Sequence, residues 1–159
     1  MSSSITLLGD SIFDNAAYVP GKPCVADQLQ ELVPTDVDVK LLAVDGDCVR
    51  HVKGQLEQMP SDATHLFVSV GGNDALGCYM TLFDSHDNAQ QMFSVWHQIQ
   101  FEFRRQYRGM LEAVVALDRQ TAVCTIYDKV PDLERIGLEQ FALTALSLFN
   151  DVIIAEAAA

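Results

Sequence analysis

The sequence predicts an α/β fold, a three-layer α/β/α sandwich built on a parallel sheet. Short apolar runs rich in β-branched residues alternate with longer stretches of helical periodicity, and a turn rich in glycine or polar residues follows each run. This alternation indicates β-α-β units, whose strands are parallel and buried on both faces. We expect a single domain over residues 1–159, because a chain of this length suits one core and shows no internal repeat.

Each of the four predicted strands ends at a turn signal. The strands are residues 5–8 before Gly9-Asp10-Ser11, 37–44 before Asp45-Gly46-Asp47, 66–70 before Gly71-Gly72-Asn73-Asp74, and 121–127 before Asp128. Helical periodicity covers residues around 22–33, 48–58, 88–118 and 132–158. The last two stretches repeat apolar side chains at steps of three and four, from Phe93 to Leu117 and from Leu138 to Val152, so each is predicted to turn one face to the core.

Charge and composition narrow the classes of partner. The chain has 22 acidic and 10 basic residues and a net charge of −12, which disfavours binding to nucleic acid or anionic lipid. No stretch approaches the roughly 18 uninterrupted apolar residues of a membrane span. The four cysteines stand singly, so we expect free thiols and no zinc site or disulfide framework. These features predict a cytoplasmic protein with no nucleic-acid partner and no membrane span.

Polar groups follow three successive predicted strands. Ser11 follows the first predicted strand, which is a usual position for a nucleophile. A serine at this position can also cap a helix N-terminus or donate its hydroxyl to a phosphate. Gly46 leaves a backbone N–H accessible to a ligand oxygen, or serves as an ordinary turn glycine. Asn73 carries an amide that donates to an oxyanion, or forms an Asn-Asp turn. A hydroxyl with two donors is what acyl transfer requires.

These residues resemble three blocks of the SGNH, or GDSL-type, hydrolase family. Gly9-Asp10-Ser11-Ile12 is similar to the first block, Gly46 to the glycine of the second, and Gly71-Gly72-Asn73-Asp74 to the third. The resemblance covers residue 5 to about residue 156. It implies that Ser11 is the nucleophile and that the N–H groups of Ser11 and Gly46 and the side chain of Asn73 form an oxyanion hole. It also implies a flavodoxin-like sheet of order 2-1-3-4-5 and hydrolysis of acyl esters without a metal or cofactor.

The general base is not assigned by this resemblance. The family supplies its catalytic Asp and His from a D-x-x-H block after a fifth strand, and residues 120–159 contain no D-x-x-H. Three explanations stay open: the chain is a C-terminally truncated piece without the fifth strand, another residue is the base, or the protein binds a ligand without hydrolysing it. His86, in a loop between two acidic residues, and His51, in the helix after Gly46, are the candidate substitute bases.

Carboxylates at the strand ends have a second interpretation. Asp10, Asp74 and Asp128 are expected to line the crevice and contact substrate, with a turn-capping role open for Asp128. Asp10, Asp14 and Asp74 also suit a receiver-like phosphoaspartate domain that holds Mg²⁺, but that class leaves the Gly-Asp-Ser turn and the Gly-Gly-Asn run unexplained. The expected partner is a small ester or acylated molecule. Self-association through an exposed apolar edge of the fourth strand is also expected.

Overall fold

The structure, a computed structural model, describes residues 3–128 and 139–159 and contains a four-stranded parallel sheet. The sheet order is β2-β1-β3-β4. Its strands are β1 (Ser3–Gly9), β2 (Val37–Leu41), β3 (His65–Ser69) and β4 (Gln120–Val123). The predicted fold class is confirmed, and so is the 2-1-3-4 part of the strand order that the resemblance implies.

Five helices within residues 3–128 and 139–159 connect and cover the strands. They are α1 (Val25–Leu32), α2 (Val52–Leu56), α3 (Gly72–Gly77), α4 (Ala89–Val115) and α5 (Glu139–Ala157), with short 3₁₀ turns at Ala16–Tyr18, Val49–His51 and Tyr79–Phe83. The predicted helix over 132–158 is therefore observed from Glu139, and its earlier residues, Leu138 included, lie outside the described part of the chain. All four cysteines are free, as predicted.

β3 ends one residue earlier than the sequence predicts, at Ser69, and two other strands end at least three residues earlier. β2 stops at Leu41 rather than Val44, because the N–H groups of Leu42 and Ala43 both donate to the carbonyl of Leu7 and the regular ladder ends there. β4 stops at Val123 rather than Tyr127. Beyond it, Oδ1 of Asn150 on α5 accepts the N–H of Ile126 at 2.8 Å, and Nδ2 of Asn150 donates to the carbonyl of Ile126 at 3.0 Å.

The core has one cluster on each face of the sheet, which accounts for the three layers. Leu8, Val68 and Tyr107 belong to the larger cluster, formed with α2, α4 and α5, while Leu7 belongs to the smaller one beneath α1. Adjacent residues of a strand point to opposite faces, so Leu7 and Leu8 enter different layers.

Two aromatic residues that were predicted to face the core are exposed. Phe93 is 66% exposed and Phe141 is 63% exposed. Both lie in the first turns of their helices, and α4 first meets the large cluster at Trp96. The apolar spacing is therefore correct along each helix, but the interface with the sheet begins further along.

β4 lies at the edge of the sheet and pairs only with β3 among the described residues. Gln120, Thr121 and Ala122 are exposed, so this edge is shorter and more polar than the predicted apolar strand. Short, polar edge strands pair less readily with other chains. Self-association through β4 stays a prediction.

α5 is long and apolar enough to cross a membrane by length and composition alone. It packs along α4, and Leu146, Phe149, Val152 and Ile153 are buried. A helix that covers the core of a globular domain passes the same test, so this property is weak evidence for a membrane span.

Gly9 determines how closely the end of β1 approaches β3. Its φ is +127°, and a Cβ there would overlap the carbonyl oxygen of Ser69. Gly9→Ala is therefore expected to lower the free energy of unfolding by about 3 kcal/mol or more, because strain and overlap add. Urea unfolding measures the change. Gly54→Ala, in open space on α2, is the matched control and should be neutral or stabilising, and equal behaviour of the two variants would contradict the assignment.

Candidate active site

A cavity of about 560 Å³ opens at the carboxyl ends of β1 and β3. Its volume lies in the range of roughly 300–1,000 Å³ that is usual for small-molecule sites. Most of its wall is apolar and comes from α3, the 79–83 turn, α5 and the segment after β4; the polar groups come from the strand ends. We call it the strand-end cavity. Its polar lining residues include Asp10, Ser11, Asn15, Tyr18, Asp45, Ser69 and Asn73.

Ser11 lies in the cavity wall, directly after the end of β1. The N–H of Asp10 donates to the carbonyl of Ser69 at 3.0 Å, which keeps the chain against β3 as it leaves the strand. The N–H groups of Phe13 and Asp14 both donate to the carbonyl of Asp10, which closes a tight turn around Ser11. The predicted strand-to-turn placement of this serine is what the structure shows.

The side chain of Asp10 stabilises this turn through a hydrogen bond. It is buried, and Oδ1 accepts the N–H of Ile12 at 3.2 Å. Burial raises the pKa of the Asp10 carboxyl, and the charge of Asp74 raises it further, while hydrogen bonds from the backbone of Ile12, Gly72 and Gly71 act in the opposite direction. The carboxylate therefore connects the turns after β1 and β3.

Asn73 reaches the same cavity from the start of α3. Its Nδ2 donates to the carbonyl of Asp47 at 2.9 Å. A carboxamide carries two N–H donors, so this bond fixes the orientation of the group and leaves its second donor for a ligand. Ser11 and Asn73, predicted from separate strand ends, thus share one cavity.

Gly46 lies in a turn beside the cavity and is not among the described residues of its wall. The N–H of Asp47 donates to the carbonyl of Val44 at 3.1 Å, and Gly46 has a φ of +85°. A turn with positive φ at its third residue favours glycine there. The turn alone explains this glycine, and its role as an oxyanion donor stays a prediction.

Two of the three carboxylates expected in the crevice do not contribute to its described wall. Asp74 instead accepts the N–H of Val49 at 3.0 Å; burial raises its pKa, which this hydrogen bond partly offsets. Asp128 is exposed, although its neighbour Tyr127 does line the cavity. Of the three carboxylates, Asp10 alone therefore belongs to the described cavity wall, and contact of Asp74 and Asp128 with substrate stays a prediction.

None of the four histidines contributes to the described cavity wall. Nδ1 of His51 accepts the N–H of Cys48 at 2.9 Å and lies 3.3 Å from Asp47 Oδ1, which holds the ring in its own loop. His86 is half-buried before α4, and its Nε2 has no hydrogen-bond partner within the described ranges. Neither candidate substitute base therefore lies with Ser11 in the described cavity wall, and the role of each as a base stays a prediction.

The apolar wall was missed by sequence reasoning. It includes Leu76 and Leu82 near α3 and Ala142, Ala145 and Phe149 on α5. The sequence signal for this wall is the pair Ala142 and Ala145, three residues apart on a helix whose other apolar residues are mostly bulky. Two small side chains on one face leave room beside that face. That signal is weak, because alanine also favours helix formation for other reasons.

Solved structures of other proteins have a fold similar to that of this chain. The chain matches no protein-family model and no curated protein sequence. Among solved structures it is similar to AlinE4, an SGNH-hydrolase family esterase, with 17% identity, a TM-score of 0.67 and coverage of 99% of this chain and 72% of that one. The acetyl xylan esterase AlAXEase gives 15% identity, a TM-score of 0.63 and coverage of 98% and 72%. Phospholipase A1 from Streptomyces albidoflavus gives 14% identity, a TM-score of 0.62 and coverage of 99% of this chain and 75% of that one. The chain has the fold of the SGNH hydrolases, as its motifs predicted.

Proposed function

We propose that this protein is a serine-dependent hydrolase of acyl esters. The observation that carries the proposal is that Ser11 and Asn73, which come from different strand ends, line the same strand-end cavity. A hydroxyl and a fixed amide donor within one apolar cavity can attack a carbonyl and stabilise the charge that develops on its oxygen. The SGNH fold of the chain supports the proposal.

In the proposed reaction, Ser11 Oγ attacks the ester carbonyl carbon while a base removes its proton. The carbonyl oxygen becomes an oxyanion, which accepts a hydrogen bond from the free N–H of Asn73 Nδ2 and from the backbone N–H groups of Ser11 and Gly46. The tetrahedral intermediate collapses, the alcohol leaves with a proton, and the acyl group stays on Ser11. Water then attacks the acyl-serine through a second tetrahedral intermediate, which releases the carboxylic acid and restores the hydroxyl.

The substrate class follows from the cavity wall and the charge of the protein. An apolar wall favours an acyl chain or another apolar group next to the ester. Asp10 and Asp45 lie in the wall, and the net charge is −12, so anionic substrates are disfavoured. We therefore propose uncharged esters with an apolar acyl group as substrates.

Asn73→Ala is expected to lower kcat by about 10²–10³ with little change in KM, because the lost donor acts mainly on the oxyanion. Steady-state rates on a p-nitrophenyl ester measure both constants. Asn88→Ala is the matched control: Asn88 caps α4 through the N–H of Gln91 and lies outside the cavity wall, so its loss should affect stability only. A loss confined to KM would show that Asn73 holds the ground-state substrate instead.

Ala142→Phe is expected to shorten the acyl chain that the cavity accepts. A phenyl group at this position fills space beside α5, so kcat/KM for an octanoyl ester should fall at least about tenfold more than for an acetyl ester. Ala155→Phe, on an exposed position of the same helix, is the matched control. Equal losses for both esters in the Ala142 variant would argue against an acyl chain at this wall.

A second candidate function is a binding domain that retains the acyl-ligand cavity without turnover. It is favoured by one observation, that no histidine of the chain lies in the described cavity wall. The two candidates differ in a direct test. A binding domain takes up an uncleaved ester analogue at equilibrium and releases no alcohol, whereas a hydrolase releases alcohol in proportion to Ser11.

A further inference from the structure

Gln55 is a buried glutamine on α2 that the proposed reaction does not use. Its side chain is 4% exposed, and three hydrogen bonds hold it. Oε1 accepts the N–H of Gly9 at 2.8 Å, and Nε2 donates to the carbonyl of Gly9 at 2.8 Å and to Oδ2 of Asp47 at 2.8 Å. Both N–H donors of the carboxamide and one acceptor site of its oxygen are therefore occupied.

These bonds stabilise the end of β1, beyond the point where the regular ladder with β2 has ended. β2 pairs with β1 only as far as Leu41, so the regular pairing does not reach Gly9. There the side chain of Gln55 accepts the N–H of Gly9 and donates to the carbonyl of Gly9, which also accepts the N–H of Val44 at 3.1 Å. Since Gly9 precedes the Asp10-Ser11 turn, Gln55 fixes the backbone from which the proposed nucleophile projects.

The third bond extends the same constraint to the proposed oxyanion donor. Gln55 Nε2 holds the side chain of Asp47, and the main-chain carbonyl of Asp47 accepts the hydrogen bond that orients Asn73. One buried carboxamide thus connects the end of β1, the loop after β2 and the start of α3. These are the three segments that carry Ser11, Gly46 and Asn73.

We infer that Gln55 is a positioning residue that fixes the Asn73 carboxamide relative to Ser11. The inference rests on the proposed function, since it assigns Gln55 a part in the same reaction. Rates of oriented reactions are sensitive to small displacements, and a misplacement of about 1 Å can cost roughly 10²-fold. Gln55 acts through Gly9 and Asp47 and makes no contact with substrate.

The kinetic test uses Gln55→Leu in two backgrounds. In the parent protein, the substitution is expected to lower kcat about 10- to 100-fold with little change in KM. In the Asn73→Ala background it should lower kcat by a clearly smaller factor, because the part of the loss that acts through Asn73 is already present and only the part that acts through Gly9 and Ser11 remains. Gln58→Leu, an exposed position just beyond the same helix, should change neither constant. Equal losses in both backgrounds would overturn the inference.

A second measurement does not depend on turnover. In ¹⁵N relaxation experiments, the side-chain amide of Asn73 should be rigid in the parent protein and in Gln58→Leu, and mobile in Gln55→Leu. If Gln55→Leu does not fold, Asp47→Ala removes the same connection at a side chain that is 23% exposed, and should mobilise the amide in the same way. An Asn73 amide that stays rigid in the folded variant overturns the inference. A parent protein that cleaves no ester refutes the proposed function alone, and the NMR result still decides the role of Gln55.

Discussion

Ser11→Ala is expected to abolish ester turnover, with a fall in kcat of at least about 10³-fold when an effective base is supplied. The substitution removes the attacking oxygen and leaves the cavity wall intact, so substrate binding should be nearly unchanged. In serine proteases, loss of the nucleophile alone lowers kcat about as much as loss of the whole catalytic triad, and this explains the size of the expected effect. Hydrolysis rates and active-site labelling by an alkyl phosphonate, followed by peptide mapping, measure it.

The labelling experiment separates Ser11 from the other serines. Ser69 also lines the cavity but is buried, and Ser94 lies on the exposed surface of α4. Ser94→Ala is therefore the matched control and should keep full labelling at Ser11. Phosphonate found at Ser69, Ser85 or Ser94 would contradict the assignment. Labelling at Ser11 without ester turnover would instead show a competent nucleophile that lacks an effective base.

Much of the fold could be predicted because the signals are local. Apolar runs and the turns that follow them mark the carboxyl ends of β1 and β3 to within one residue, since glycines there allow a conformation that other residues resist. The ends of β2 and β4 could not be read in the same way. The backbone of Ile126 pairs with Asn150, which is distant in sequence, so no local pattern at 121–127 reveals where pairing stops.

The same difference between local signals and contacts of distant segments applies to the candidate site. The location of Ser11 and Asn73 was predictable because each comes within a few residues of the end of a strand, and parallel strands bring their carboxyl ends to one edge of the sheet. The direction of a single side chain is not encoded in that way. Asp74 follows Asn73 in sequence yet binds the N–H of Val49, while Asn73 points to the cavity. The wall contributed by α5 and the connections made by Gln55 both depend on packing between distant segments.

Supply of a base is expected to limit turnover by residues 1–159. None of the four histidines lies in the described cavity wall, so removal of the Ser11 proton lacks the imidazole that usually contributes roughly 10²–10⁴-fold. Added imidazole should therefore raise the rate of p-nitrophenyl ester cleavage in proportion to its concentration, beyond its effect on Ser11→Ala.

His86 and His51 provide the decisive controls for this prediction. If neither histidine is the base, then His86→Ala and His51→Ala should leave both the basal rate and the imidazole response unchanged. His51 is the stricter case, because its Nδ1 already accepts the N–H of Cys48 and would have to leave its loop to reach Ser11. A parent chain that is fast without imidazole and loses at least about tenfold in His86→Ala would show that the loop before α4 moves and brings its own base to the nucleophile.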